Sequence, residues 1–590
     1  MLEGIIISGI NSSAAKLFRI PAETDGIQVN FCKNPVCSNY GVAPKVFIER
    51  GRGKSNQDTY IITAHGSGIP SISCQICGEQ PRIKSNLAIA EERARLLREL
   101  EVVPEPSCPD KSCANHTIPV GKGYQSIGLT HSGSRRYRCN LCKKTFSVGK
   151  STTGHKQPHK NRLIFSLLMN KSPMRRVCEV ACIDPKTLYG KIDFLHHQCL
   201  AFSADREKRL MNGMAIPRLY IGVDRQDYVV NWIRHADRRN IKLHAVGSAD
   251  NNSGYVFGMH LNYDSTLDSK AVEADALVVG DYQTKLPFRR YARCWLKEDY
   301  TAAVRKQAMR KKTASGLQGE IEGEYAETIQ RDDVEVSEVQ DSSRRLPTKG
   351  IQIHAEYTLY GHFYYLKQLF SGVEQLRFFL DQDSGMRAAC LSAFQPEIAA
   401  RRADAFFVHI AKEMTIAEKR AAISLSRVEF ENAREVNQSL PDPELEILIT
   451  KQHIANMAAI GKWQDRWMTH PFPNMSEPEK AVCYLTDYQD YDEDHLARLY
   501  NKASLHAIDR FFMQVRRRLS ILERPIGSAS SMGRTWYGYS AYNPETIVKM
   551  LGIFRVFYNY CLVGQDKKTP AMRLGLAKGK VSLEDIIYFD

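Results

Sequence analysis

The spacing of apolar and polar positions divides the chain into a strand-rich centre with helical stretches on both sides. Three consecutive strands are expected over Leu219 to Asp224, Ile241 to Ser248 and Tyr255 to Leu261. The turn Ala249-Asp250-Asn251-Asn252-Ser253-Gly254 is a strong hairpin signal. Two later apolar runs, Leu376 to Leu380 and Ala405 to Ile410, predict a fourth and a fifth strand. Helical spacing marks Ser85 to Leu100 as a spacer helix, Pro173 to Cys182 and Lys186 to Cys199 as a pair, and Leu505 to Glu523 as one long helix. Met414 to Lys502 reads as mainly helical. Tyr357, Tyr360, Phe363, Tyr364 and Tyr365 form an aromatic helix face suited to packing against a sheet.

At 590 residues the chain exceeds one core, and roughly 150 residues per domain implies about four units. Its net charge of +15 favours a polyanionic partner without choosing between DNA, RNA and acidic lipid. No charge-free apolar run is long enough to span a bilayer, and the opening Met1-Leu2-Glu3-Gly4-Ile5-Ile6-Ile7 lacks a basic flank. A soluble, intracellular protein is expected.

The cysteines change the picture most. Fifteen is an odd number for a secreted disulfide framework, whereas clustered pairs in a reducing compartment point to metal ligands. Cys32, Cys37, Cys74 and Cys77 read C-x4-C then C-x2-C, and Cys108, Cys113, Cys139 and Cys142 repeat that order, an internal duplication. Four thiolates complete a tetrahedron, so two structural Zn2+ ions are expected; His65 and His131 read as nearby loop residues.

The helix pair after the second quartet turns at Ile183-Asp184-Pro185, with Asp184 as the cap, and reads as a helix-turn-helix. Its second helix would enter the major groove, making Lys186, Thr187, Tyr189 and Lys191 the candidate contacts. Lys171, Arg175 and Arg176 add positive charge. A plain helical hairpin packed on a neighbour is the rival reading.

In their order along the chain, Ile221-Gly222-Val223-Asp224, the hairpin with Asp250 and Ser253-Gly254, and Phe379-Leu380-Asp381 resemble DDE-type transposases of bacterial insertion sequences. The stretch His506-Ala507-Ile508-Asp509-Arg510 with Arg516 and Leu519 adds to the resemblance. So do Tyr558-Asn559-Tyr560, Thr569-Pro570-Ala571, Leu574-Gly575 and the paired cysteines ahead of a helix-turn-helix.

The resemblance implies a multidomain α/β protein with a ribonuclease H-like mixed five-stranded core and helical insertions. Asp224 would lie on the central first strand, Asp381 at the end of the adjacent fourth, and Asp509 on a helix beside them. Together they would hold two Mg2+ (or Mn2+) ions for phosphodiester chemistry. Arg516, Arg517 and Arg518 would hold DNA phosphates.

Each of the acids has a rival, Asp227 standing three residues from Asp224 and so on the opposite face if the strand continues. Asp383, two residues beyond Asp381, faces the same side of a strand. Glu523 competes with Asp509 because the family commonly has Glu there; fourteen residues of helix separate the two by roughly 21 Å, so both cannot serve one site. Asp227 reads as a solvated turn residue.

The expected organisation is a first zinc module at 1–83, a spacer helix and linker at 84–107, a second zinc module at 108–158 and the helix-turn-helix at 159–205. The catalytic core occupies 206–413, with an insertion and linker at about 265–350. A helical insertion domain covers 414–502, and the catalytic helix and C-terminal helices cover 503–590. The implied function is a transposase that binds double-stranded DNA at transposon ends and target, works as a homodimer or higher oligomer, touches no membrane and resides in the bacterial cytoplasm at the nucleoid. Alternatives are a domesticated or inactive DNA-binding regulator and an RNA-processing nuclease with the same core.

Overall fold

The computed structural model describes residues 18–47, 58–64, 70–100, 107–118, 120–121, 123–131, 134–148, 152, 155–307, 344–411, 414–460, 465–523 and 536–589. His65, the opening run 1–7, residues 101–106 of the first expected linker and residues 308–343 of the second lie outside them.

Each cysteine quartet is organised by a small antiparallel sheet. In the first, β1 (Tyr60–Ala64) pairs with β2 (Pro70–Cys74), and Ile20, Tyr60, Ile72 and Ile83 pack around the cysteines. The helix α1 (Asn86–Leu97) follows, capped by the Ser85 hydroxyl, which accepts the Ala88 N–H. It is not the spacer its amphipathic pattern suggested. Ala88, Ile89, Glu92 and Leu96 are buried, and Glu92 pairs inside the protein with Arg95 and Arg293. The second quartet is carried by β3 (Tyr124–Leu129), β4 (Arg135–Cys139) and β5 (Thr145–Val148), with a separate small core of Cys108, Tyr124 and Cys139.

Three helices come next: α2 (Asn161–Leu168), α3 (Met174–Ala181) and α4 (Pro185–Met211). The turn before α4 forms as its residues dictate. Cys182 adopts a left-handed conformation, Pro185 occupies the first helical turn, and Asp184 accepts the Thr187 N–H at 2.9 Å and its hydroxyl at 2.6 Å. Helix α4 runs past the expected end at Cys199. Its second half is buried, and Glu207 there pairs at 2.6 Å with the buried Arg555.

The centre is a mixed eight-stranded sheet. Its first strands are β6 (Ile216–Val230), β7 (Ile241–Asp250) and β8 (Val256–Leu261). The short β9 (Tyr263–Asp264) leads to α5 (Ser269–Val278) and α6 (Lys297–Gln307), then pairs with β10 (Ile351–Gln352). After α7 (Ala355–Leu369), β11 (Val373–Asp381) is followed by α8 (Ser384–Ala393) and β12 (Ala403–Ile410). Every residue of β12 is buried, as expected of a parallel strand covered on both faces.

The segment expected to be a helical insertion carries α9 (Ile416–Val436), α10 (Asp442–Ala455) and α11 (Glu493–Lys502), but also β13 (Ala458–Ile460), β14 (Asp465–Thr469) and β15 (Lys480–Tyr484). These strands extend the sheet from the β12 edge, giving the order β13-β14-β15-β12-β11-β6-β7-β8. Runs of three to five residues are too short for periodicity to separate strand from helix, which is why the pattern hid them. After α12 (His506–Arg518) and α13 (Pro544–Tyr560) come two short helices, Pro570–Leu574 and Leu583–Ile587. No helix among the described residues is long and apolar enough to cross a membrane.

The first quartet is built into this centre. Ile27, Val29, Phe31 and Tyr40 join the apolar cluster of the large sheet. Buried Lys33 donates to the Ser392 hydroxyl at 2.6 Å, Tyr40 donates to the Leu391 carbonyl at 2.8 Å, and Glu79 pairs with Arg387 at 2.8 Å.

Candidate functional site

Strand register brings two of the acids together. β6 and β11 run parallel with Gly222 opposite Phe379 and Val223 opposite Leu380, so Asp224 and Asp381 occupy the next positions on adjoining strands and face the same side. On the other flank Asp224 pairs with Gly247 of β7. Glycines on this face make room for α12. A Cβ on Gly222 would lie 3.5 Å from the Ser504 carbonyl and 3.6 Å from Ile508; one on Gly247 would lie 2.7 Å from Ile508 and 2.9 Å from Phe512. The helix therefore lies across the face that carries the Asp224 carboxylate, with half-buried Asp509 in its first turn.

Four acids surround Arg225. Asp224 is buried and accepts the Arg225 N–H at 2.6 Å. Burial disfavours the charge on the Arg225 guanidinium, but Asp383, Asp227, Asp381 and Asp224 outweigh it and raise its pKa. Asp383 forms the ion pair with Arg225 and caps α8 by accepting the Gly385 N–H at 2.8 Å. Asp227 is exposed, as expected, but is not a turn residue. It continues β6 opposite His244 and pairs with His244 at 2.6 Å and Lys242 at 2.8 Å; these partners overcome desolvation and hold its carboxyl below the usual range.

The expected helix Leu505 to Glu523 is shorter, ending at Arg518 with Leu519 as its cap. Glu523 lies beyond it, accepts the Tyr537 hydroxyl at 2.6 Å and pairs with Lys171 at 2.9 Å. The start of α12 is held by a buried pair that the sequence did not signal. Glu477 binds Lys480 at 2.9 Å and accepts the Leu505 N–H at 3.0 Å and the Ser504 hydroxyl. Lys480 also donates to the Ala503 carbonyl at 2.7 Å. An acid and a lysine three positions apart are too common to single out without the fold.

Among the described residues, the two cysteine quartets are the groups of three or more that bring their ligand atoms within 4.8 Å of one another; the three acids do not form such a group. The sulfurs of Cys32 and Cys77 are 3.3 Å apart and those of Cys37 and Cys74 3.7 Å. The second quartet repeats these values between Cys108 and Cys142 and between Cys113 and Cys139. A tetrahedron of zinc–sulfur bonds near 2.3 Å places sulfurs about 3.8 Å apart, so both quartets can hold a structural metal such as zinc.

The duplication extends beyond the ligands. Asn39 donates to the Cys74 sulfur at 3.2 Å and Asn115 to that of Cys139 at 3.3 Å. Tyr60 and Tyr124 accept the N–H of Cys32 and Cys108 through their hydroxyls. The repeated C-x-N at Cys37 and Cys113 was the available sequence signal for the asparagines. Burial pushes the Cys74 thiol up, but donors that include the Cys77 and Ile76 amides outweigh this and bring it down to about 7. Cys139 is likewise brought to about 6, with the Cys142 and Leu141 amides as its first donors. Burial pushes other thiols of the quartets up, Cys77 to about 11 and Cys108 to about 12, so Cys74 and Cys139 are the members most disposed to be thiolates, the form that binds metal. His131 is exposed, whereas His116 bonds the Cys108 carbonyl through Nδ1 at 2.6 Å.

The candidate DNA contacts divide. Lys186 and Tyr189 are exposed on the first turns of α4, and the Thr187 hydroxyl is used in the cap. Lys191 turns inward, is buried and points its ammonium at the Gln157 carbonyl at 3.4 Å, so it does not belong to the exposed face. Arg517 is exposed and Arg516 half-buried, whereas Arg518 donates to Asn170 and Gln514, both at 3.2 Å. Lys171 closes this joint. Its amide donates to the Arg518 carbonyl at 2.6 Å and its ammonium to the Arg516 carbonyl at 3.3 Å, tying α12 to the loop between α2 and α3. No family model and no curated protein matches the chain.

Proposed function

We propose that the protein is a DDE-type DNA transposase with a ribonuclease H-like core. The observation that carries this reading is the placement of Asp224 and Asp381 side by side on adjacent parallel strands, with the Asp509 helix across the same face. The order β8-β7-β6-β11-β12 supports it, because three antiparallel strands continue into two parallel ones around the strand bearing Asp224.

Asp224, Asp381 and Asp509 are the residues that would hold two Mg2+ (or Mn2+) ions, since carboxylate oxygens suit hard divalent cations. Ions about 4 Å apart do not require three carboxylates in one coordination shell. When bound, such ions activate the attacking oxygen and stabilise the leaving oxygen of a phosphodiester. The chain's own residues would position DNA: Lys186, Tyr189 and Arg517 are the exposed candidates for phosphate or base contact. The reaction is hydrolysis at the transposon ends followed by attack of the freed 3'-hydroxyl on target DNA, in an assembly of at least two copies that joins two ends.

The test is an excision and insertion assay of the gene with its native flanks, comparing wild type with Asp224→Asn and measuring end binding in parallel. Movement lost in the variant with binding retained is the expected outcome. No movement of the wild type with intact binding to the flanks would instead support a DNA-binding regulator.

A further inference from the structure

The two quartet modules are copies with different surfaces. Aligned on the third cysteine, β2 reads Pro70-Ser71-Ile72-Ser73-Cys74 and β4 reads Arg135-Arg136-Tyr137-Arg138-Cys139. The inward position is apolar in both: Ile72 and Tyr137 pack with their module cores. The alternating positions are serines in the first copy, Ser71 buried and Ser73 half-buried, and exposed arginines in the second. Residues 107–148 carry seven Lys and Arg against one acid, Asp110, whereas residues 18–83 carry seven against five.

The arginines sit on a formed platform. On the central strand β4, Arg138 pairs with Gln125 of β3 and Thr145 of β5, and Arg136 pairs with Ser147. All five side chains are exposed, and they share one face because directly opposed residues in an antiparallel sheet point to the same side. Among the described residues no acid pairs with Arg136 or Arg138; the module's acid, Asp110, pairs with Lys144 at 2.9 Å. The aromatic pair Tyr137 and Phe146 belongs to the opposite, core-facing side.

We infer that the duplicated modules have divided their labour: the first braces the central fold, and the Arg136–Arg138 face of the second binds the phosphate backbone of duplex DNA. The first module's surface is spent on Ser392, Leu391 and Arg387 of α8, the helix that follows Asp381. The second module's sheet face offers guanidinium groups flanked by amide and hydroxyl donors, the chemistry of phosphate contact. Among the described residues, the face offers no aromatic side chain for base stacking, which single strands and RNA loops require. The inference rests on the reading that this protein acts on DNA, but not on its cutting DNA.

The experiment uses the full chain and a short duplex of arbitrary sequence, with affinity measured by fluorescence anisotropy between about 50 and 200 mM salt. Arg136→Ser with Arg138→Ser, which gives the second module the first module's residues, is expected to weaken binding. It should also make the log–log salt slope shallower by about 0.9 for each phosphate that is no longer neutralised, about 1.8 for the pair. Ser71→Ala with Ser73→Ala in the first module should change neither. The single variants Arg136→Gln and Arg138→Gln, each with zinc content checked, guard against misfolding and should each remove about half of the slope change. Unchanged affinity and slope in zinc-loaded variants would overturn the inference even if transposition is observed. Preferential loss of single-stranded RNA binding would overturn the choice of partner. A shallower slope in a protein that never moves DNA would leave the inference standing and sink only the transposase reading.

Discussion

At the residue scale, position separates the acids from their rivals. Asp383 lies beyond β11 and caps α8 while pairing with Arg225, and Glu523 lies beyond α12 and serves Lys171 and Tyr537, whereas Asp224 and Asp509 sit on the elements that cross where α12 lies on β6 and β7. Asp509→Asn is therefore expected to reduce cleavage by more than the roughly 10–100-fold cost of losing an outer-sphere metal partner. Glu523→Gln should retain cleavage. Single-turnover cleavage of a labelled end, with both variants side by side, checks this, and loss with Glu523→Gln alone would move the third acid there. Asp224 and Asp381 were visible as acids ending apolar runs, and Asp509 through the resemblance. The ion pairs of Asp383 and Glu523 were not, because Arg225 and Lys171 are distant from them along the chain.

At the element scale, α12 is positioned by its approach rather than by its own sequence. Its apolar stripe of Ile508, Phe511, Phe512 and Val515 drives it onto the sheet, but the buried Glu477–Lys480 pair sets where it begins by binding the backbone at Ala503 and Leu505. Removing one partner leaves a buried charge uncompensated, so Glu477→Ala should cost about 3–5 kcal/mol. Denaturant unfolding would measure it, and a change below about 1 kcal/mol would mean the pair contributes no more than an exposed one does. Where an element's signal is local, the pattern found it: the turn capped by Asp184 formed as its residue types required. Where identity depended on an edge being available, as for β13 to β15, the pattern was silent, and a helical insertion was expected where the sheet instead continues.

At the scale of the whole molecule, the duplicated modules should respond differently to loss of metal. Cys74→Ser removes a ligand from the module fused to the central core through Val29, Phe31 and Tyr40, and should lower the main thermal transition by several degrees. Cys139→Ser removes one from a module with its own small core and should leave that transition nearly unchanged while abolishing the module's binding to DNA. Calorimetry with zinc analysis distinguishes the two, and equal shifts would refute the division between them. The sequence by itself determined the two ligand quartets, the five apolar strand runs and the capped turn, because each depends on spacing within a short stretch of chain. Only the tertiary structure decided that α1 is a core helix, that Lys191 turns inward, that the sheet has eight strands and that the first module is a brace. Those outcomes rest on contacts such as Lys33 with Ser392, between positions whose separation along the chain carries no periodic or chemical mark.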